Sequence, residues 1–217
     1  MAATLAERHG CAVSFDPKPI EGLTGTGAHL HVSLWRDGRN LFHEPSGEKG
    51  LSALAYHFLG GLLAHGRALC ALTNPVPSSY RRLARAATSS GATWSPAWIS
   101  YGGNNRTHLV RIPDDQRLEL RLPDGAANPY LLQAAVLAAG LDGIERKLDP
   151  GLRSDANTYI DPPAPGTAQP LPGSLEEALE AFAADTILRE ALGAEFCGAY
   201  QELVALHPAR LSATQLA

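Results

Sequence analysis

Charged residues and leucines alternate over Arg117-Leu118-Glu119-Leu120-Arg121, and this period of two predicts a strand. Successive side chains of a strand point to opposite faces, so the three charged side chains share one face and the two leucines the other. A carboxylate between two guanidiniums can bind a metal ion while its neighbours hold anionic oxygens. An exposed strand with a ladder of ion pairs has the same pattern, so the pattern alone leaves both interpretations open.

A second alternating stretch, residues 29–34, predicts a strand with His29, His31 and Ser33 on one face and apolar side chains on the other. Imidazole is a common ligand of divalent metals, so two histidines at this spacing are candidate metal ligands. Structural histidines with ordinary hydrogen bonds give the same pattern. Gly25, just before this stretch, allows a ligand to approach the backbone closely.

The rest of the chain predicts short strands and two helices in its early part and helices alone in its late part. Further strands are predicted over residues 11–15, 98–101 and 106–112, and helices over residues 2–9, 51–72, 128–148, 174–192 and 194–206. Residues 147–173, rich in Pro, Gly, Asp and Asn, are predicted to be a long surface loop. With no Rossmann or P-loop glycine motif, this order indicates an α+β fold with an antiparallel sheet.

Composition excludes several classes of protein. The 217 residues suffice for one ordinary domain or a large piece of a bigger one, and 45% of them are hydrophobic. A net charge of −4 without a run of like charges argues against a nucleic-acid or anionic-membrane binder. No stretch has the ~18 consecutive apolar residues of a membrane span. Three widely separated cysteines are expected to be reduced core thiols, which favours a cytoplasmic location.

Arginines concentrate between residues 82 and 121, on predicted strands and at loop ends. The five that form this group are Arg82, Arg106, Arg111, Arg117 and Arg121. Arginine matches phosphate oxygens with two parallel hydrogen bonds, so the group favours an anion-binding site, with polyphosphate as the expected ligand class. Within the same stretch, the small and polar residues 84–95 are a candidate mobile lid.

Five motifs, in order along the chain, resemble the C-terminal catalytic domain of glutamine synthetase. They are GTGAHLHVSLW at residues 25–35, NPVPSSYRRL at 74–83, NRTHLVRIP at 105–113, RLELRLPD at 117–124 and ANPY at 127–130. The resemblance is strong over residues 11–150 and looser over the helical tail, and it is closest to the type III-like glutamate–ammonia or glutamate–amine ligases. It implies that residues 1–217 are the C-terminal part of such a catalytic domain, with a half-barrel of antiparallel strands packed against helices.

The resemblance also implies an activity. ATP would phosphorylate the side-chain carboxylate of glutamate, and ammonia or an amine would attack the resulting γ-glutamyl phosphate, with Mg²⁺ or Mn²⁺ bridging the phosphates. The active site would lie between the subunits of a double-ring homo-oligomer, a dodecamer at full length.

Roles for individual residues follow from the same resemblance. His29 and Glu119 resemble metal ligands, and Gly25, Arg82 and Arg121 resemble glutamate contacts. The phosphate-stabilising arginines correspond to Arg106, Arg111 and Arg117, and Arg82 and Arg106 are the residues expected to be catalytic.

Two departures from the family pattern change what we expect of this chain, one in its extent and one in its second substrate. The family's N-terminal β-grasp domain and paired-glutamate strands are not recognisable, so we expect about the C-terminal half of a longer enzyme, which alone would be inactive. Trp94 stands where the family has a lid glutamate that accepts the ammonium proton, and an indole cannot act as a base. An amine substrate is therefore an alternative to ammonia. A non-catalytic relative retained for assembly or ligand binding is the alternative from a different class.

Overall fold

The computed structural model describes residues 1–83 and 94–206, so most of the predicted lid lies outside the described residues. The helices are α1 (Ala2–Arg8), α2 (Ala53–Ala64), α3 (Gly66–Thr73), α4 (Pro77–Leu83), α5 (Pro129–Glu145), α6 (Leu175–Ala184), α7 (Thr186–Leu192) and α8 (Ala194–Leu206). The strands are β1 (Leu30–Val32), β2 (Trp35–Arg36), β3 (Arg39–Asn40), β4 (Tyr101–Gly102), β5 (Val110–Asp114) and β6 (Arg117–Leu120). The predicted α+β class is therefore confirmed.

The main sheet has the strand order β1-β6-β5-β4, and β2 and β3 form a separate hairpin. Strand β6 pairs antiparallel with both β1 and β5, whereas the short β4 pairs parallel with β5. Glu119 consequently lies between His31 of β1 and Arg111 of β5 in the ladder. Pairing alone therefore places an imidazole and a guanidinium on either side of the carboxylate.

Alternation along β6 decides which side chains enter the core. Leu118 and Leu120 are fully buried, as the sequence predicts, and they pack into the cluster that underlies the sheet. Helix α2 packs against α5, and the two backbones meet where a Cβ on Gly61 would lie 2.0 Å from the carbonyl oxygen of Ala139. Glycine at position 61 thus allows a close helix contact that a larger residue would prevent.

Two predicted helices are each broken by a polar residue. The helix predicted over residues 51–72 is divided at His65, and the one predicted over residues 174–192 is divided at Asp185. Asp185 caps α7 by accepting a hydrogen bond from the amide of Leu188 at 3.0 Å, which satisfies a backbone donor at the new helix start. Ser174 caps α6 by accepting a hydrogen bond from the amide of Glu177 at 3.2 Å.

Smaller predictions fail near the N-terminus. Residues 11–15 form no strand, and Cys11 is exposed, whereas Cys70 and Cys197 are the buried thiols that the sequence predicts. Prolines at positions 17 and 19 leave little backbone to pair in a ladder, which explains the missing strand. Among the described residues, no helix has both the length and the apolar character needed to cross a membrane.

Candidate active site

A cavity of about 390 Å³ takes lining residues from β5, from β6 and from the segment before β1. The site residues predicted from the sequence belong to this lining, except Arg117 and the candidate metal ligand His31. Its cationic side chains are Lys18, Arg82, Arg106, Arg111 and Arg121, and its carboxylate among the described residues is Glu119. The cavity therefore carries a strong excess of positive charge, which suits a ligand with several anionic groups.

Glu119 is at the centre of the polar groups in the cavity wall and is 3% exposed. One carboxylate oxygen accepts hydrogen bonds from Arg121 Nη1 at 2.7 Å and lies 3.2 Å from His29 Nδ1. The other oxygen accepts from Arg111 Nη1 at 2.5 Å. Burial raises the pKa of Glu119, but the hydrogen bonds from His29 and Arg111 and the charge of Arg121 lower the pKa to about 2. Glu119 is therefore a carboxylate at every physiological pH.

Arg121 uses three of its five N–H groups within the wall of the cavity. Besides Glu119, its guanidinium donates to the carbonyl oxygen of Trp94 at 3.0 Å and to that of Arg106 at 3.2 Å, and it lies 3.2 Å from His29 Nδ1. Because His29 Nδ1 donates to Glu119, it cannot also accept from Arg121, and two N–H groups remain for a ligand. The predicted glutamate contact is thus also a structural centre that connects β6 to the segments on either side.

Arg82 is almost fully buried under the floor of the cavity. It donates to the carbonyl oxygens of Leu122 at 2.9 Å and Arg121 at 3.3 Å, and its own carbonyl accepts from Ser95 Oγ at 2.7 Å. Gly25, the other predicted glutamate contact, packs above it, and a Cβ there would lie 2.3 Å from the carbonyl oxygen of Pro17. Burial lowers the pKa of Arg82, which nevertheless stays cationic.

The three predicted phosphate arginines do not form one group. Arg106 is exposed at the cavity mouth, and Arg111 is half-buried between Glu119 and the side-chain oxygen of Asn104. Arg117 instead pairs with Asp114 at 2.9 Å, outside the lining of the cavity. The shift in register between β5 and β6 near Asp114 brings these two exposed side chains together.

Trp94 is the indole of the cavity wall and is 49% exposed. It also lines a neighbouring polar cavity of about 410 Å³, which shares Arg106 with the first. Its backbone is held by the hydrogen bond from Arg121, and the hydroxyl of Tyr159 donates to the carbonyl oxygen of the next residue, Ser95. The backbone of Trp94 is therefore held at the cavity, and about half of the residue remains accessible.

The predicted metal ligands His29 and Glu119 come together at 3.2 Å, and His31 Nε2 lies 3.8 Å from the same carboxylate oxygen. In residues 1–83 and 94–206, no group of three or more His, Cys, Asp or Glu side chains could hold a metal ion. These donors are of types that divalent metals accept, but they form one side of a coordination sphere at most.

Sequence reasoning missed two residues of this site. Lys18 is buried, lines the cavity and donates to the carbonyl oxygen of Leu23. Asn104 directs Arg111 towards Glu119 through bonds of 2.8 Å to Nε and 2.5 Å to Nη2. Lysine between two prolines and asparagine in a Gly-Gly-Asn-Asn turn both suggest a loop, and only the folded chain brings Lys18 to the cavity and Asn104 to Arg111.

Comparison with known proteins gives a consistent result along the whole chain. A family model described as glutamine synthetase, catalytic domain, matches residues 1–212. The chain is 51% identical to a glutamine synthetase of Rhizobium leguminosarum bv. phaseoli over 205 residues, which are 94% of this chain and 47% of the relative. It is 47% identical to a glutamate–methylamine ligase of Methyloversatilis universalis over 197 residues, which are 88% of this chain and 44% of the relative.

Solved structures agree with these sequence matches. A structure described as a GmaS/ADP complex superposes with a TM-score of 0.88 at 52% identity, and the match covers 99% of this chain and 49% of that chain. A GmaS structure without ligand superposes with a TM-score of 0.84 at 50% identity, over 99% of this chain and 48% of that one. The chain thus spans about half the length of the relatives that it matches.

Proposed function

The chain belongs to the glutamine synthetase family, and on this premise we propose that it is the C-terminal part of the catalytic domain of an ATP-dependent ligase. The complete enzyme joins ammonia or a small amine to the γ-carboxylate of glutamate. The observation that carries this proposal is the cavity whose lining, among the described residues, has four arginines and Lys18 but one carboxylate, that of Glu119. Glutamate and the phosphates of ATP are both polyanions, and this excess of positive charge complements them.

The reaction has two steps. The terminal phosphoryl group of ATP passes to a side-chain carboxylate oxygen of glutamate, which releases ADP. The amine nitrogen then attacks the acyl phosphate, loses a proton and expels inorganic phosphate. Arg106 and Arg111 are the groups that stabilise the charge on the transferred phosphoryl oxygens, since both line the cavity and Arg111 is already oriented by Asn104.

A divalent metal, Mg²⁺ or Mn²⁺, would be held by His29 and Glu119 together with ligands from outside the described residues, and when bound it supplies charge neutralisation at the phosphates. Glu119 suits this task because its low pKa keeps it ionised. Arg121 and Arg82 hold the glutamate side of the cavity. The two remaining donors of Arg121 and the backbone at Gly25 are the groups available to the substrate.

The choice between ammonia and an amine depends on Trp94 in this proposal. An indole face attracts an ammonium ion and an alkylammonium ion alike, but only the alkylammonium ion also gains apolar contact through its alkyl group. A small alkylamine such as methylamine is therefore the preferred second substrate. The glutamate–methylamine ligase of Methyloversatilis universalis, 47% identical, supports the same choice. We further propose a cytoplasmic homo-oligomeric ring for the complete protein, in keeping with the family resemblance.

A chimera tests this function directly. In it, the present chain replaces the matching half of the Rhizobium leguminosarum glutamine synthetase, so that the N-terminal half is supplied by a protein 51% identical over the exchanged part. Phosphate release is measured with magnesium–ATP, glutamate and, in turn, ammonia, methylamine and ethylamine, with the unmodified relative as control. Glutamate-dependent turnover that is fastest with an alkylamine is expected. A folded, assembled chimera without turnover on any amine would leave the non-catalytic alternative as the better explanation.

A further inference from the structure

Residues 102–107, here called the turn segment, carry three of the groups that shape the cavity. The guanidinium of Arg106 lines the cavity, and the Arg106 carbonyl oxygen accepts from Arg121 Nε at 3.2 Å. The side-chain oxygen of Asn104 accepts from Nε and Nη2 of Arg111. The position of the turn segment therefore determines where three arginines point.

The turn segment is held from outside by residues 154–159, here called the strap. Asp155 Oδ1 accepts from the amide of Gly103 at 2.7 Å. In the opposite direction, Asn105 Nδ2 donates to the carbonyl oxygens of Asp155 at 3.0 Å and Ala156 at 2.8 Å. These bonds fix both the backbone and a side chain of the turn segment to the strap.

Further bonds extend the contact at both ends. The amide of Ser154 donates to the carbonyl oxygen of Tyr101 at 3.0 Å, and a Cβ on Gly102 would lie 2.4 Å from the carbonyl oxygen of Ser154. Thr158 and Thr107 are both nearly fully buried, and Thr158 donates two hydrogen bonds, from its amide to Thr107 Oγ1 at 3.1 Å and from its hydroxyl to the Thr107 carbonyl oxygen at 3.2 Å. Only glycine at position 102 allows the strap to lie this close to the turn segment.

Beyond the turn segment, the strap reaches the other side of the cavity. The hydroxyl of Tyr159 donates to the carbonyl oxygen of Ser95, which follows Trp94 in the cavity wall. Ser95 in turn donates to the carbonyl oxygen of Arg82. One continuous stretch of six residues thus contacts both the turn segment and Ser95, which follows Trp94.

We propose that the strap is a positioning element of the active site, in which Asp155 and Thr158 act through the turn segment to orient Arg106 and Arg111 for phosphoryl transfer. None of the strap residues needs to touch the substrate for this role. The proposal rests on the proposed function for its kinetic consequence, whereas its structural part concerns the turn segment alone.

The experiment compares variants of the chimera defined above. Asp155→Ala removes the acceptor of the Gly103 amide, Asp155→Asn keeps an acceptor oxygen at the same place, and Asp161→Ala changes an exposed aspartate that follows the strap. For each variant, kcat and the KM for glutamate are measured, together with hydrogen exchange of the amides of residues 102–107.

Asp155→Ala is expected to lower kcat about 10- to 100-fold, because a displacement of catalytic groups by about 1 Å costs that much. The KM for glutamate should stay within about twofold, since Arg121 keeps its bonds to Glu119 and to the carbonyl of Trp94. Hydrogen exchange of the amides of residues 102–107 should become faster. Asp155→Asn should restore both properties, and Asp161→Ala should leave both unchanged.

Two results would overturn the proposal. One is that Asp155→Ala and Asp161→Ala have the same kcat and the same rate of hydrogen exchange in residues 102–107. The other is faster exchange in Asp155→Ala with an unchanged kcat, which would make the strap a purely structural element. If the unsubstituted chimera shows no turnover, the proposed function fails instead, and the exchange of residues 102–107 alone decides whether the strap holds the turn segment.

Discussion

Arg121 donates a hydrogen bond of 2.7 Å to Glu119, and both side chains are buried in the wall of the cavity. The residue expected to bind glutamate and the residue expected to bind a metal are therefore one electrostatic unit. Arg111 completes it from the neighbouring strand β5. Because each charge neutralises the others, a substitution at any one of them changes stability as well as activity.

Replacement of Glu119 by alanine should destabilise the protein strongly. Removal of one partner of a buried ion pair costs about 3–5 kcal/mol, since the guanidiniums of Arg111 and Arg121 would remain without a counter-charge. Urea unfolding of the chimera at fixed concentration measures this loss. Asp114→Asn removes the ion pair with Arg117 but keeps an oxygen for the Gln116 amide, and it is the matched control, with an expected loss of no more than about 1 kcal/mol. Equal losses in the two variants would show that the carboxylate of Glu119 is not needed to balance the wall.

Replacement of Arg121 by lysine keeps the charge but removes the planar set of donors. Lysine can reach Glu119 but cannot also hold the carbonyl oxygens of Trp94 and Arg106. We expect the KM for glutamate to rise about tenfold or more, which corresponds to the loss of a charge-assisted hydrogen bond. Steady-state kinetics of the chimera with glutamate as the varied substrate tests this, and an unchanged KM would remove Arg121 from the glutamate site.

The sequence predicts the face of β6 correctly but not the partners of its charges. Alternation is a local property, so it identifies Leu118 and Leu120 as core and places Glu119 on the opposite face. Arg117 lies apart from the other charged residues of β6 because a register shift between β5 and β6 brings its guanidinium within 2.9 Å of the carboxylate of Asp114. A local sequence pattern does not encode a register shift. The family resemblance likewise identifies residues of the cavity, but it does not show that Arg111 and Arg121 both bind the carboxylate of Glu119.

The contacts of the strap could not be predicted from the sequence either. Its composition of Ser, Asp, Asn and Thr predicts a surface loop, and it is indeed irregular. Its bonds join residues about fifty positions apart, such as Asp155 to Gly103, and depend on the folded sheet. The break at His65 also has a remote cause, since the ring contacts carboxylates 77 and 120 positions away.

Trp94 should determine how strongly the enzyme prefers an alkylamine. Trp94→Ala removes the aromatic face, and the ratio of kcat/KM for methylamine to that for ammonia should fall about 5- to 10-fold. Trp94→Phe should keep most of the preference. The backbone bond from Arg121 survives both changes because it uses the carbonyl oxygen. Trp35→Ala, at an exposed indole outside the cavity lining, is the control, and the same ratio in Trp94→Ala and Trp35→Ala would count against the role.

Arg117 offers a test of phosphate binding that is free of folding effects. Its guanidinium is exposed and pairs only with Asp114 among the described residues, so Arg117→Gln should change the free energy of unfolding by less than about 1 kcal/mol. If Arg117 contacts the nucleotide phosphates, as the family resemblance implies, the KM for ATP should rise several-fold, about 3- to 10-fold for one charged contact at an exposed site. A normal KM for ATP would restrict phosphate binding to the arginines of the cavity.

His65 should make stability depend on pH in a defined direction. Its ring is buried between Asp185, at 2.6 Å from Nδ1, and Asp142, at 3.0 Å from Nε2, and Arg146 also pairs with Asp142 at 3.0 Å. Burial lowers the pKa of His65, but the bonds to Asp185 and Asp142 outweigh it and raise the pKa above 6.5. Burial raises the pKa of Asp185, and the bond from His65 outweighs this and lowers it below 3.8.

The two shifts define a window of maximum stability. A raised pKa of His65 contributes stability that is complete below 6.5 and is lost as the pH rises through the folded-state pKa. A lowered pKa of Asp185 contributes stability that is present above 3.8 and is lost as the pH falls through its folded-state pKa. The thermal midpoint of the chimera should therefore fall as the pH is raised from about 6 to about 9. His65→Gln should flatten this fall, whereas the control His57→Gln, in α2 with its ring 3.1 Å from the carbonyl oxygen of Leu148, should not. A pH profile that His65→Gln leaves unchanged would mean that the ring binds its two carboxylates without holding a proton that titrates in this range.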